Sequence, residues 1–100
     1  MHYLLIYELA PDYQARRGQF RAAHLALAWQ AVDRGEMVLA GAAGDPIEGA
    51  MLLFSGDSPQ AASAFARADP YVLNGIVKSW RVLPWHTVAG HQASNPTRGG

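Results

Sequence analysis

The apolar run at residues 2–8 constrains the fold more than any other stretch of the sequence. Aromatic and aliphatic side chains occupy both alternating sets of positions in this run, so a strand built from it is apolar on both faces. Strands of this kind lie inside a sheet that is covered on both sides. The sequence therefore predicts a central strand in a sheet whose two faces are both buried.

A helical period follows this strand. Residues 12–34 carry apolar side chains at three- and four-residue spacing, which predicts a helix, although Gly18 weakens its first turns and favours a start near that position. His24 lies in the apolar row, which Leu25 and Trp29 widen. We therefore expect His24 to face the sheet and not the solvent.

The remaining segments complete an alternating pattern. Residues 37–42 and 49–55 predict two strands joined by a short turn, which favours an antiparallel hairpin. A second helix is predicted over residues 58–68, and after a short irregular link a last strand is predicted over 76–85. Pro84 lacks a backbone donor, so the last strand is expected at a sheet edge.

The order strand, helix, strand, strand, helix, strand predicts an α+β, ferredoxin-like βαββαβ fold. Right-handed crossovers give a four-stranded antiparallel sheet of order 4-1-3-2 with both helices on one face. Because the strands are apolar on both faces, we expect the helix-free face to be the interface of a homodimer. Residues 1–87 form the predicted domain, and residues 88–100, which lack periodicity, a flexible tail.

Composition excludes several functional classes. The eight basic and eight acidic residues cancel, which argues against a nucleic-acid partner. Without cysteine the chain has no disulfide or thiolate metal site, which suits the cytoplasm. The apolar run at the start is too short for a signal peptide or a membrane span, so no membrane association is expected.

Asp69 and His24 carry the sharpest functional signal. Pro70 disfavours helical geometry at the preceding residue, so Asp69 is expected at the end of the second helix, beside the first helix. A carboxylate bonded to one nitrogen of His24 would fix the tautomer and leave the other nitrogen as a general base. The alternatives are a structural pair that bridges the helices and an Asp69 that caps nearby amides.

Together, Arg21-Ala22-Ala23-His24-Leu25, Gly41 and Ala68-Asp69-Pro70-Tyr71 resemble the YciI-like family of the dimeric αβ-barrel group. The resemblance covers residues 1 to about 87 and implies a ferredoxin-like dimer with a histidine–aspartate active site, here His24 and Asp69. It also implies dehydrochlorinase-like chemistry for some members. The sequence departs from the family pattern at Ala22-Ala23, where a proline often precedes the histidine.

Arg21 and Tyr71 also occupy positions of the motif. Arg21 lies nearly one turn before His24 and either holds an anionic substrate or is solvated. Tyr71 either donates its hydroxyl to a substrate oxygen or packs as an apolar body near the last strand. We expect no metal site, because His2 and His86 lack a third ligand.

Three functional hypotheses follow. The first is a small, cofactor-free enzyme of lyase, isomerase or dehydrochlorinase type, in which His24 takes a proton from a small polar cyclic substrate and Arg21 or Tyr71 binds the developing oxyanion. The second is a non-catalytic module that binds a small ligand or mediates dimerisation. The third is a monooxygenase of the wider barrel group.

Overall fold

The computed structural model describes residues 1–99, with a four-stranded antiparallel sheet and helices on one face. Over these residues the chain forms, in order, β1 (His2–Leu9), α1 (Tyr13–Arg16), a 3-10 turn (Arg17–Gln19), α2 (Arg21–Asp33), β2 (Met37–Gly44), β3 (Ile47–Ser55), α3 (Gln60–Ala68), α4 (Pro70–Leu73) and β4 (Val77–Trp85). The α+β, ferredoxin-like fold predicted from the order of the segments is confirmed.

The sheet has the strand order β2-β3-β1-β4, which is the predicted order 4-1-3-2 counted from the other edge. The apolar first strand lies between β3 and β4, in the interior position that its two apolar faces indicated. The strand that contains Pro84 lies at an edge, where a residue without a backbone donor disrupts the fewest hydrogen bonds.

The core lies between the sheet and the helices. Leu5 of β1 is fully buried and pairs with Leu52 of β3 on one side and with Val82 of β4 on the other. From the helix layer, Ala62 and Ala66 of α3 are also fully buried. Their small side chains allow the backbone of α3 to approach the sheet closely.

The opposite face of the sheet carries a continuous row of leucines. Leu39 of β2 pairs with Leu53 of β3, Leu53 pairs with Leu4 of β1, and Leu4 pairs with Leu83 of β4. The row crosses all four strands, and Leu39 and Leu83 are 63% and 40% exposed. No helix of residues 1–99 covers this row, so its apolar surface is open in the single chain.

The first helical segment is interrupted. The predicted helix over residues 12–34 is divided into α1, the 3-10 turn that contains Gly18, and α2, which begins at Arg21. Glycine disfavours the helical interior because it loses more backbone freedom there than other residues, which explains why the interruption falls at this position.

The predicted irregular link after Asp69 is wrong. Residues Pro70–Leu73 form a helical turn, α4, with Asp69 at its N-cap. Proline ends α3 because of its effect on the preceding residue, yet its fixed φ also suits the first position of a new helix. The same dipeptide therefore ends one helix and begins the next.

The segment after β4 folds back on itself. Thr97 N–H donates to Val88 O at 2.8 Å, and Ser94 N–H donates to Thr87 Oγ1 at 2.8 Å. The flexibility predicted for residues 88–100 stays a prediction, and Gly100 lies outside the described residues.

Over residues 1–99, no helix is long and apolar enough to cross a membrane.

Candidate active site

Asp69 is held at the junction of two helices. Its backbone is extended, with φ −68° and ψ 123°, as expected for a residue before proline. This conformation ends α3 and points the side chain back over the first turn of α4, where its Oδ1 accepts a hydrogen bond from the Tyr71 backbone N–H at 3.0 Å. Asp69 is therefore both a helix stop and a helix cap.

The Asp69 side chain is completely buried and fully hydrogen-bonded. Besides the Tyr71 backbone N–H, its Oδ1 lies 2.8 Å from His24 Nδ1, and its Oδ2 accepts a hydrogen bond from the Tyr7 hydroxyl at 2.6 Å. A carboxylate removed from water needs such partners, since an unpaired buried charge is strongly destabilising. Three elements, β1, α2 and α4, thus meet at one side chain.

His24 has one ring nitrogen bound and one available. Nδ1 contacts Asp69, whereas Nε2 has no hydrogen-bond partner among residues 1–99 and is not fully buried, and the side chain is 16% exposed. The imidazole stacks on the Tyr71 ring at a centroid distance of 3.9 Å and an angle of 6°. With Nδ1–H donated to the carboxylate, Nε2 carries the free lone pair of the neutral ring.

Tyr7 completes the support behind the histidine. Burial, followed by the charge of Asp69 and the hydrogen bond to it, raises the pKa of the Tyr7 hydroxyl above its usual value. The hydroxyl therefore stays protonated and remains a donor to Asp69. Its role is to position the carboxylate, which in turn orients His24.

Tyr71 presents an unpartnered hydroxyl. The residue is 5% exposed, yet no atom of residues 1–99 makes a hydrogen bond of good geometry with its Oη. Burial, followed by the Tyr13 hydroxyl, raises the pKa of the Tyr71 hydroxyl, while the charges of Arg21 and Arg17 and a contact of Arg21 with its oxygen act in the opposite direction. Buried hydroxyl groups normally have partners, whereas the O–H hydrogen of Tyr71 is not donated to any atom of residues 1–99.

A cavity of about 340 Å³ lies in front of His24, between α2 and the sheet. Its floor is built from small residues of β2 and β3, including Ala40, Ala42 and Ala50, and Leu25 and Trp29 line its outer side. The exposure of Leu25 and Trp29, 38% and 64%, shows that the apolar row of α2 extends beyond the core to this cavity. Its volume lies at the small end of the range for ligand pockets.

The structure brings the four predicted site residues together. His24 and Asp69 are in hydrogen-bond contact, Tyr71 stacks on His24, and Arg21 lines the same cavity. Their functional roles stay predictions.

Sequence reasoning missed two residues of the site. Tyr7 was counted as an apolar residue of β1, although a buried tyrosine requires a partner for its hydroxyl and this requirement was a usable signal. Arg17 was not predicted as a site residue, but it lines the cavity and its guanidinium lies 5.7 Å from the centre of the Tyr13 ring.

Within residues 1–99, no group of three or more histidine, aspartate or glutamate residues is arranged to hold a metal ion. The imidazole of His2, weighed above as a ligand, instead lies with its Nδ1 2.7 Å from Thr87 Oγ1 and 3.2 Å from Ser94 Oγ. These contacts join the start of β1 to the segment after β4.

The comparison with protein families identifies the domain. The model of the YCII-related domain matches residues 1–86, which include every strand and helix described above. The chain belongs to the YCII-related domain family. The resemblance inferred from the histidine and Asp-Pro-Tyr motifs is thereby confirmed at the level of the family.

A solved structure shares the fold of this YCII-related domain. It is the 5-chloro-2-hydroxyhydroquinone dehydrochlorinase of Burkholderia phenoliruptrix AC1100, in complex with 2,5-dihydroxybenzoquinone. The match has a TM-score of 0.69 and 22% sequence identity, and it covers 87% of this chain and 95% of the other. A search of curated proteins finds no significant match.

Replacement of Tyr7 by phenylalanine tests the support of Asp69 in this YCII-related domain. The variant Tyr7→Phe leaves Oδ2 of the buried carboxylate without its donor, so we expect the free energy of unfolding in urea to fall by ~1–3 kcal/mol. Tyr3→Phe is the matched control, because it removes a hydroxyl from the other end of the same strand. Equal effects of the two substitutions would contradict the role assigned to Tyr7.

Proposed function

We propose that this protein is a small, cofactor-free enzyme in which His24 acts as a general base on a small polar cyclic substrate. One observation carries the proposal: His24 Nδ1 is tied to a buried carboxylate, while Nε2 is accessible beside a ligand-sized cavity. A base needs a fixed orientation and a free lone pair within reach of its substrate, and this arrangement supplies both.

Asp69 supports the reaction from behind the ring. As His24 takes a proton on Nε2, the imidazole becomes positively charged, and the adjacent carboxylate stabilises that charge. Tyr7 keeps the carboxylate oriented through the opposite oxygen. A purely structural pair would need no accessible second nitrogen, so the accessibility of Nε2 favours the catalytic role.

The proposed reaction class is an elimination or isomerisation, with dehydrochlorination as the specific candidate. A chlorinated hydroxyhydroquinone would give a hydroxyl proton to His24 Nε2, and the O–H electron pair would move into the ring, whose chlorine-bearing carbon would take up a proton to give a keto tautomer. Loss of a second hydroxyl proton would then move electrons through the ring, and chloride would leave with the electrons of the C–Cl bond. The product is a hydroxybenzoquinone; two protons leave oxygen and one is gained at carbon, so the net loss is HCl. The shared fold of the Burkholderia phenoliruptrix dehydrochlorinase motivates this candidate.

Chloride release from 5-chloro-2-hydroxyhydroquinone by wild type and His24→Ala tests the proposal. We expect the substitution to lower kcat/KM by a factor of ~10²–10⁴, the usual contribution of a general base. His86→Ala is the control, because His86 is exposed and does not line the cavity. Unchanged turnover in His24→Ala would contradict the proposal and favour a non-catalytic ligand-binding module.

We also propose that the protein is a homodimer of αβ-barrel type, joined through the helix-free face of the sheet. The leucine row formed by Leu4, Leu39, Leu53 and Leu83 supports this proposal, because exposed apolar rows of this extent are typical of protein interfaces. A symmetric partner would present the same row, and the two rows would bury each other. This would supply the second cover that the apolar faces of β1 require.

Light scattering coupled to size-exclusion chromatography tests the dimer. Leu39→Lys places a charge in the row at a residue that is 63% exposed in the single chain, so the fold is retained while the interface is disrupted. We expect this variant to be monomeric. Leu73→Lys, at a residue of α4 that is 68% exposed, is the control and should remain dimeric. A dimeric Leu39→Lys protein would contradict the proposed interface.

The cytoplasm is the proposed location. The cysteine-free composition supports it, since such a chain requires no oxidising compartment for its folding.

A further inference from the structure

Two arginines of the cavity have no acidic partner. Arg17 and Arg21 both line it, and neither forms an ion pair with a carboxylate of residues 1–99. Elsewhere on the chain, Arg16 lies 3.6 Å from Asp12, and Arg34 lies 3.0 Å from Glu36. Two arginines without an acidic partner thus line one cavity in a chain whose net charge is zero.

Among residues 1–99, no aspartate or glutamate lines the cavity. Asp69 lies behind His24 and Tyr71, where three donors already satisfy its oxygens. Because nothing acidic faces the two guanidinium groups from within the lining, their field favours a negatively charged ligand. Charge-assisted hydrogen bonds from arginine to an ionised oxygen are also among the stronger polar contacts.

A third donor converges on the same place. The Tyr71 hydroxyl is buried without a hydrogen bond of good geometry within residues 1–99, and Tyr71 lines the same cavity as Arg17 and Arg21. The Arg17 guanidinium lies 5.7 Å from the centre of the Tyr13 ring, which in turn packs against the Tyr71 ring at 6.3 Å. The Tyr71 ring stacks on the His24 imidazole at a centroid distance of 3.9 Å, with the two ring planes within 6° of parallel, which places the donors next to the proposed base. The small alanines that line the cavity leave room for a flat ring between α2 and the sheet.

We propose that Arg17, Arg21 and the Tyr71 hydroxyl form an anion subsite, and that the substrate is a small planar ring bearing an ionised oxygen group. This inference rests on the proposed function and names the class of substrate for the same cavity. Both a carboxylate and an ionised ring hydroxyl supply the required chemistry. The subsite holds the ionised oxygen while another position of the ring lies beside His24 Nε2.

Equilibrium binding by isothermal titration calorimetry, which is independent of turnover, tests the subsite. The anionic probes are 2,5-dihydroxybenzoate, with a carboxylate, and 2,5-dihydroxybenzoquinone, with an acidic ring hydroxyl; the neutral probe is 2,5-dihydroxybenzamide. We expect at least one anionic probe to bind the wild type more tightly than the amide. We also expect Arg17→Gln and Arg21→Gln each to weaken that anionic probe by ~10-fold or more and to leave the amide unchanged.

Three further variants make the result decisive. Arg34→Gln is the control for loss of one positive charge, because Arg34 is paired with Glu36 and does not line the cavity. Arg17→Lys retains the positive charge. It should therefore bind the anionic probe more tightly than Arg17→Gln does, even if both substitutions disturb the packing of Arg17 against Tyr13. His24→Ala should keep the preference for the anionic probe even though it removes the proposed base.

Absence of any preference for the anionic probes in the wild type would overturn the anion subsite. The subsite would also be overturned if the preference for the anionic probe over the amide persisted in both Arg17→Gln and Arg21→Gln but disappeared in His24→Ala. That result would assign the charge selectivity to the imidazole. Neither result depends on a reaction, so a failure of the subsite is distinguishable from a failure of the general-base proposal, which turnover by His24→Ala decides.

Discussion

The burial of the Asp69 carboxylate is the constraint on which the site depends. The side chain is completely removed from solvent, so its oxygens must be hydrogen-bonded within the protein. Its three donors come from β1, α2 and α4, which fixes the relative positions of these elements. Because one of the donors is His24, the requirement that stabilises the carboxylate also orients the imidazole toward the cavity.

Much of the fold was predictable because its signals are local. The apolar run of β1 indicated an interior strand, and the alternation of strand and helix patterns indicated the topology, both of which the structure confirms. The proximity of His24 and Asp69 also followed from local signals: a histidine in an apolar helical row and a carboxylate held before proline. The chain connectivity then placed the two helices side by side.

The remaining features depend on contacts between segments that are distant in sequence. Tyr7 is hidden within an apolar strand, and only the folded chain shows that its hydroxyl reaches Asp69. In the sequence, the surroundings of Arg17 are typical of a solvated residue. In the folded chain, the 3-10 turn places Arg17 at the cavity. The turn of α4 was missed because proline was taken only as a helix breaker, although it also favours the first position of a new helix.

The tautomer of His24 is the most direct test of the central claim, that Asp69 orients an imidazole whose Nε2 is free to act as a base. A long-range ¹H–¹⁵N NMR spectrum of the neutral imidazole distinguishes the two ring nitrogens. We expect Nδ1 to carry the proton, which it donates to Asp69, and Nε2 to be unprotonated. A neutral ring protonated at Nε2 would contradict it, since no free lone pair would then face the cavity.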